Sequence, residues 1–143
     1  MNWVIYFIAA VTLGAHAPAG RSGLQFSAKT RLVGGDSLVS SAAVHNEGAQ
    51  ALRLSFGGCP ILLRVYRQGQ AKPVWNGGNA MCFSVEKLVT LAPGERKSFR
   101  RADAVASILG HSLRPGRYEF RVRFRTTPGA AEIHSGEATL TRR

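Results

Sequence analysis

Carboxylates are scarce in this chain. Asp and Glu supply 8 of its 143 residues, against 19 Lys and Arg. Most of them stand singly, so paired-carboxylate acid–base chemistry has little raw material. A G-x-S-x-G elbow, a phosphate-cradling glycine loop and a His/Cys set at metal-ligand spacing are also missing. His111-Ser112 and His134-Ser135 are adjacent pairs, which strand alternation would point to opposite faces. The expectation is therefore no catalytic residue, no cofactor and no metal site, and a protein that is not an enzyme. Long helical periodicity is missing too, and no apolar run reaches the roughly 20 residues of a membrane-spanning helix. With 45% hydrophobic and 19% charged residues, the chain has material for a core and does not read as a disordered polyelectrolyte.

Residues 1–20, MNWVIYFIAAVTLGAHAPAG, carry no charged side chain. Their apolar stretch from Trp3 to Leu13 is followed by small residues in the style of a signal-peptidase site, either Ala15-His16-Ala17 or Ala17-Pro18-Ala19. The reading is a signal peptide over 1–19 and one domain over 20–143, with a buried first strand or helix as the alternative. No transmembrane anchor is expected in the mature chain, and the expected compartment is periplasmic or secreted. The only cysteines are Cys59 and Cys82. An even pair in an exported protein reads as one disulfide, and two buried thiols are the alternative.

From Leu24 onward the apolar residues recur every second position. Tyr118 to Arg125 alternates strictly between apolar or aromatic and charged side chains, which marks a strand with one dry and one wet face. Strands are also expected at Leu24–Ala28, Ser37–Val44, Ala51–Phe56, Ile61–Arg67, Lys87–Leu91, Lys97–Arg101 and Ile133–Thr141, with a short helix at Ala102–Leu109. Gly34-Gly35-Asp36, Asn46-Glu47-Gly48, Pro93-Gly94, Pro115-Gly116 and Pro128-Gly129 supply turn chemistry between them. Seven or eight short strands with such turns indicate an all-β antiparallel sandwich.

The order Val44-His45-Asn46-Glu47-Gly48, Leu52 to Pro60, Leu62 to Tyr66, Pro73-Val74-Trp75, Cys82, Leu91-Ala92-Pro93-Gly94-Glu95 and Leu113-Arg114-Pro115-Gly116-Arg117-Tyr118 resembles the intracellular proteinase inhibitor family, the BsuPI domain. The likeness covers roughly residues 38–125. It implies an immunoglobulin-like sandwich and a protein partner, a proteinase among the candidates.

Two binding readings follow. In the first, a rigid loop enters the cleft of a protein partner at low ordering cost. Gly57, Gly58, Cys59 and Pro60, together with the segment Gln68 to Met81, are the candidates, and Trp75 is either an exposed anchor or a cap on the core. In the second, cations bind an anionic envelope polymer or lipid headgroups. The formal charge is +11 and 15 of the 19 cations are Arg. Arg121, Arg123 and Arg125 would project from one strand face, with Arg100-Arg101, Arg114, Arg117 and Arg142-Arg143 adding charge. Nucleic acid is not expected as a partner, since no recognition motif with interleaved aromatics is present.

Overall fold

Tyr118, Phe120, Val122 and Phe124 are all buried, and the residues between them are not. The strict alternation of this stretch thus makes a strand with one face in the core. The computed structural model describes residues 23–77, 82, 86–110, 114–127 and 130–142. The expected signal peptide, the 78–81 part of the Gln68–Met81 segment, His111, Ser112, Leu113, the Pro128-Gly129 turn and Arg143 lie outside the described residues.

The elements in chain order are β1 (Leu24–Val33), β2 (Ser37–Asn46), β3 (Leu52–Arg67), β4 (Trp75–Asn76), β5 (Lys87–Leu91), β6 (Arg96–Ala104), α1 (Val105–Leu109), β7 (Gly116–Thr127) and β8 (Ala131–Leu140). They form an all-β antiparallel sandwich. One sheet has the order β1-β2-β6 and the other β4-β3-β7-β8, with β5 also paired to β3. Among the described residues, no helix is long and apolar enough to cross a membrane.

Two expectations need correction. Ala51–Phe56 and Ile61–Arg67 are not separate strands joined by a loop at Gly57-Gly58-Cys59-Pro60. They are the two halves of β3, and the four residues between them form a bulge, with five steps along β3 matched by two along β7. The pairing with β7 resumes on the far side, which keeps the strand whole where the local Gly-Gly and Pro signals favour a break. The helix is also shorter than expected, because Ala102–Ala104 finish β6 and pair with Val39, Leu38 and Ser37 of β2. Only Val105–Leu109 are helical, and Val105, Ile108 and Leu109 turn inward to close one end of the core.

The core runs between the sheets as three patches. Leu38, Leu63, Val65, Tyr118 and Phe120 pack under α1; Ala42, Ile61, Val122 and Phe124 fill the middle; and Val44, Leu54, Phe56 and Leu91 fill the far end. Buried polar groups pin the strands. Asn46, fully buried, donates through Nδ2 to the carbonyls of Gln50 at 2.8 Å and Leu91 at 3.0 Å, and its Oδ1 accepts from the Gly48 N–H at 3.0 Å. It thereby organises the turn from β2 into β3 and holds it to β5.

Along one side the sheets meet closely. Thr30 Oγ1 lies 3.0 Å from Ser40 Oγ and 2.7 Å from Ser135 Oγ, joining β1 and β2 to β8. Ser135 reaches this position because it is the extra residue of a bulge in β8, between the pairs Arg121↔His134 and Phe120↔Gly136. The next residue, Gly136, has φ +152°, and a Cβ there would sit 2.7 Å from the Thr30 carbonyl oxygen. Further along the molecule, Arg101 grips Asp103 with Nε–Oδ1 at 3.0 Å, Nε–Oδ2 at 2.9 Å and Nη2–Oδ1 at 2.8 Å, while Nη2 also donates to the Gly77 carbonyl at 3.1 Å.

Tyr118 shows how the Leu-x-Pro-Gly-x-Tyr stretch acts locally. Its ring is buried and its hydroxyl donates back to the Arg114 carbonyl, fixing the corner before β7. Tyr118→Phe keeps the ring and loses this bond. It is expected to cost about 1 kcal/mol, read as a lower urea midpoint at unchanged slope.

Candidate functional site

The residues singled out in the sequence fall in three places. Gly57, Gly58 and Pro60 lie in the β3 bulge, seated against the body of the strand, with only Gly58 of the three exposed. Cys59 is disulfide-bonded to Cys82 across a Cα–Cα distance of 5.2 Å, tying the bulge to the segment before β5. Trp75, on β4, is half-buried and packs against the core patch under α1. A Cβ on Gly77 would meet the Trp75 ring and Arg101 Nη2 each at 3.0 Å, so the Trp75 surface is walled by protein on that side.

Arg121, Arg123 and Arg125 all point outward from β7, but their surroundings differ. Arg121 lies 4.2 Å from the centroid of the Tyr66 ring, 3.9 Å from Glu132 and 4.0 Å from Glu119. Glu132 also pairs with Arg64 at 2.7 Å and accepts the Tyr66 hydroxyl at 2.7 Å. Burial pushes the Tyr66 phenol above its ordinary pKa, the Glu132 carboxylate pushes it the same way, and Arg64 and Arg121 pull it back. The phenol therefore stays a neutral donor through neutral pH. Arg121 is thus committed to a network in which two carboxylates offset its charge. Arg123 and Arg125 are exposed around a shallow hollow that also holds Glu86. The three arginines do not form one uncompensated strip.

The opposite face of the molecule is different. On the outer side of β1-β2-β6 the outward positions are Gln25, Ser27, Lys29, Arg31 and Val33, then Ser37, Val39, Ser41, Ala43 and His45, then Arg96, Ser98, Arg100, Ala102 and Ala104. None is Asp or Glu, and none is Phe, Tyr or Trp. Register brings the cations together across β2, since Lys29 and Arg100 both pair with Ser41, while Ser27 and Ser98 both pair with Ala43. Small residues on the central strand and long ones on its neighbours leave a depression of about 450 Å³ along β2. Its polar lining is Ser27, Lys29, Ser41, Arg96, Ser98 and Arg100, every one exposed.

Strand spacing puts Lys29 and Arg100 roughly 10 Å apart across the trough, and four residues of β6 put Arg96 roughly 13 Å from Arg100. Arg96 leans back over β2 until its Nη2 is 3.5 Å from Ser27 Oγ, a weak contact to a neutral group. Among the described residues, no carboxylate pairs with Lys29, Arg96 or Arg100. Glu47, just beyond the end of β2, is taken up by His45 at 3.5 Å. The arrangement offers fixed positive charge and rotatable hydroxyls to an anion. No three His, Cys, Asp or Glu side chains of the described residues are placed to share a metal ion.

The six lining residues come from three strands, and the pairing of β2 with β6 joins positions far apart in the chain. The sequence did carry a partial signal, in that Ser98 and Arg100 alternate along the strand expected at Lys97–Arg101, with Arg96 just before it.

No protein-family model and no curated protein matches this chain. Among solved structures it is similar to a β-glucosidase from Erythrobacter marinus, at 16% identity and TM-score 0.47, over 82% of this chain and 15% of the enzyme. It is also similar to β-glucosidase 3B from Thermotoga neapolitana, at 15% identity and TM-score 0.44, over 85% of this chain and 17% of the enzyme. A Bordetella pertussis protein described as ApaA is similar at 15% identity and TM-score 0.45, over 82% of this chain and 91% of that one. The chain spans less than a fifth of the length of either glucosidase.

Proposed function

We propose that this protein is a non-catalytic binding module of the cell envelope that holds an anionic polymer on the outer face of β1-β2-β6. The observation that carries the reading is the trough of Lys29, Arg96 and Arg100 around Ser27, Ser41 and Ser98, with no carboxylate in any outward position of the three strands. An incoming anion has no carboxylate to displace from Lys29, Arg96 or Arg100. The net charge of +11 adds long-range attraction. The Cys59–Cys82 bond suits an oxidising compartment, which supports the envelope as the place of action.

Proteinase inhibition, which the BsuPI resemblance implies, calls for a projecting loop. Of the two segments nominated for that part, Gly57–Pro60 runs inside β3 and Trp75 leans on the core, which leaves the exposed Gln68–Pro73 turn between β3 and β4 for such a role.

The test compares two triple variants on immobilised dextran sulfate. Lys29→Ser/Arg96→Ser/Arg100→Ser is expected to elute at much lower salt. Its log affinity should fall with log salt less steeply, by roughly two units of slope for three lost ion contacts. Arg121→Ser/Arg123→Ser/Arg125→Ser removes equal formal charge and is expected to shift elution less. Equal shifts for the two would sink the assignment to this face and leave only net charge as the cause.

A further inference from the structure

We infer that the occupant of the trough is a single extended chain of an acidic polysaccharide, lying along β2; this rests on the polymer reading above and adds the class and pose of the ligand. Three features of the face select it. The first is shape. Ser41 forms the floor between Lys29 on one neighbouring strand and Arg100 on the other, and the walls stand roughly 10 Å apart, two strand spacings. Over Ser41 one extended chain fits that width and touches floor and walls together, and beyond it the chain meets the Arg96 side chain, which crosses β2 to Ser27. A flat membrane surface would meet the tips of the cations and miss the floor.

The second feature is the kind of polar group. Ser27, Ser41 and Ser98 both donate and accept, as sugar hydroxyls do, so floor and ligand can satisfy each other at every step. Lys29, Arg96 and Arg100 then take the carboxylates or sulfates that punctuate the chain. The third is charge density. The strand positions of Lys29 and Arg100 lie roughly 10 Å apart, and the Arg96 guanidinium rests beside Ser27, two residues or roughly 7 Å from Lys29 along β1. Phosphates on a nucleic acid strand follow each other at roughly 3.4 Å along the axis, so a hydroxyl-rich chain with no more than one charge per sugar matches the spacing better. Outward Phe, Tyr and Trp are absent from all three strands, so nothing there stacks on nucleobases or inserts as an aromatic anchor at a bilayer interface.

A variant of the floor separates a trough from a charged patch. Ser41→Arg, at an exposed strand position, adds a positive charge while filling the trough with a long side chain. The full chain is titrated with polygalacturonate, with inorganic polyphosphate, and with vesicles containing phosphatidylserine. For the parent protein, polygalacturonate is expected to bind most tightly, weakening roughly ten- to fortyfold as salt rises fourfold, the loss expected for two to three ion contacts. Ser41→Arg is expected to weaken polygalacturonate at least fivefold despite its extra charge and to leave polyphosphate unchanged or tighter. Tighter polygalacturonate binding by Ser41→Arg would overturn the trough, while loss of binding in the Lys29/Arg96/Arg100 triple variant would still uphold the polymer reading. Preference of the parent for vesicles or for polyphosphate would overturn the polysaccharide assignment. Thermal unfolding of Ser41→Arg at the parent midpoint keeps misfolding out of the comparison.

Discussion

Replacing Asp103 with Ala is expected to remove about 3–5 kcal/mol of folding stability, the usual cost of leaving one member of a buried ion pair alone. The Asp103 side chain is 7% exposed and that of Arg101 17%, so water can solvate the abandoned guanidinium only in part. Among the described residues, the Gly77 carbonyl would remain as its hydrogen-bond partner. A domain of this size has roughly 5–15 kcal/mol to lose, so the variant should unfold in far less urea. Removing both charges is expected to be milder, because replacement of a whole buried pair by apolar groups is often close to neutral. Arg101→Met/Asp103→Leu should therefore sit between the parent and Asp103→Ala. A double variant as unstable as the single one would mean that packing, not the pair, holds this region.

Gly136→Ala is expected to cost as much, for a different reason. At φ +152° an Ala pays backbone strain of about 1–3 kcal/mol. Its Cβ must also move away from the Thr30 carbonyl oxygen at 2.7 Å, which lies on the backbone of a paired strand and cannot swing aside. Displacement would pull Ser135 from Thr30 and open the closed side of the sandwich. Gly94→Ala is the control, because Gly94 also has positive φ, at +78°, but nothing lies within 4 Å of its added Cβ. That variant should lose only about 1–2 kcal/mol. Similar losses in the two would show that conformation alone, without the close approach, sets the cost at Gly136.

What could be read in the sequence, and what could not, follows the range of the interactions. Alternation is local, so β7 was legible from Tyr118 to Arg125, as were the outward directions of Arg121, Arg123 and Arg125. Their electrostatic fate was not, since Glu132 and Arg64 reach Arg121 only through the registers of β8 and β3. The Gly57–Pro60 stretch was misread for the same reason. Its residues signal a break, and only the distant β7, pairing on both sides of the bulge, carries β3 through it. The disulfide was legible because two cysteines allow one pairing. The trough was hardly legible at all. Arg100 and Arg101 look alike in the chain, yet one lines the solvent-facing depression and the other is fastened to Asp103 inside. A single step of strand alternation separates them.

β6 carries this contrast one step further. Among the described residues it has a strand partner on one side only, β2, so its other edge exposes unpaired backbone of the kind that recruits strands from other molecules. Arg96, Lys97 and Arg100 crowd that strand, while Arg101 is neutralised by Asp103. Antiparallel pairing of two copies along β6 would bring these cations face to face, and the repulsion would oppose fibre-like association. The charge proposed to receive a polyanion on one surface would thus also keep identical molecules apart along the adjoining rim. Trading Arg96 and Arg100 for neutral residues is expected to weaken both together.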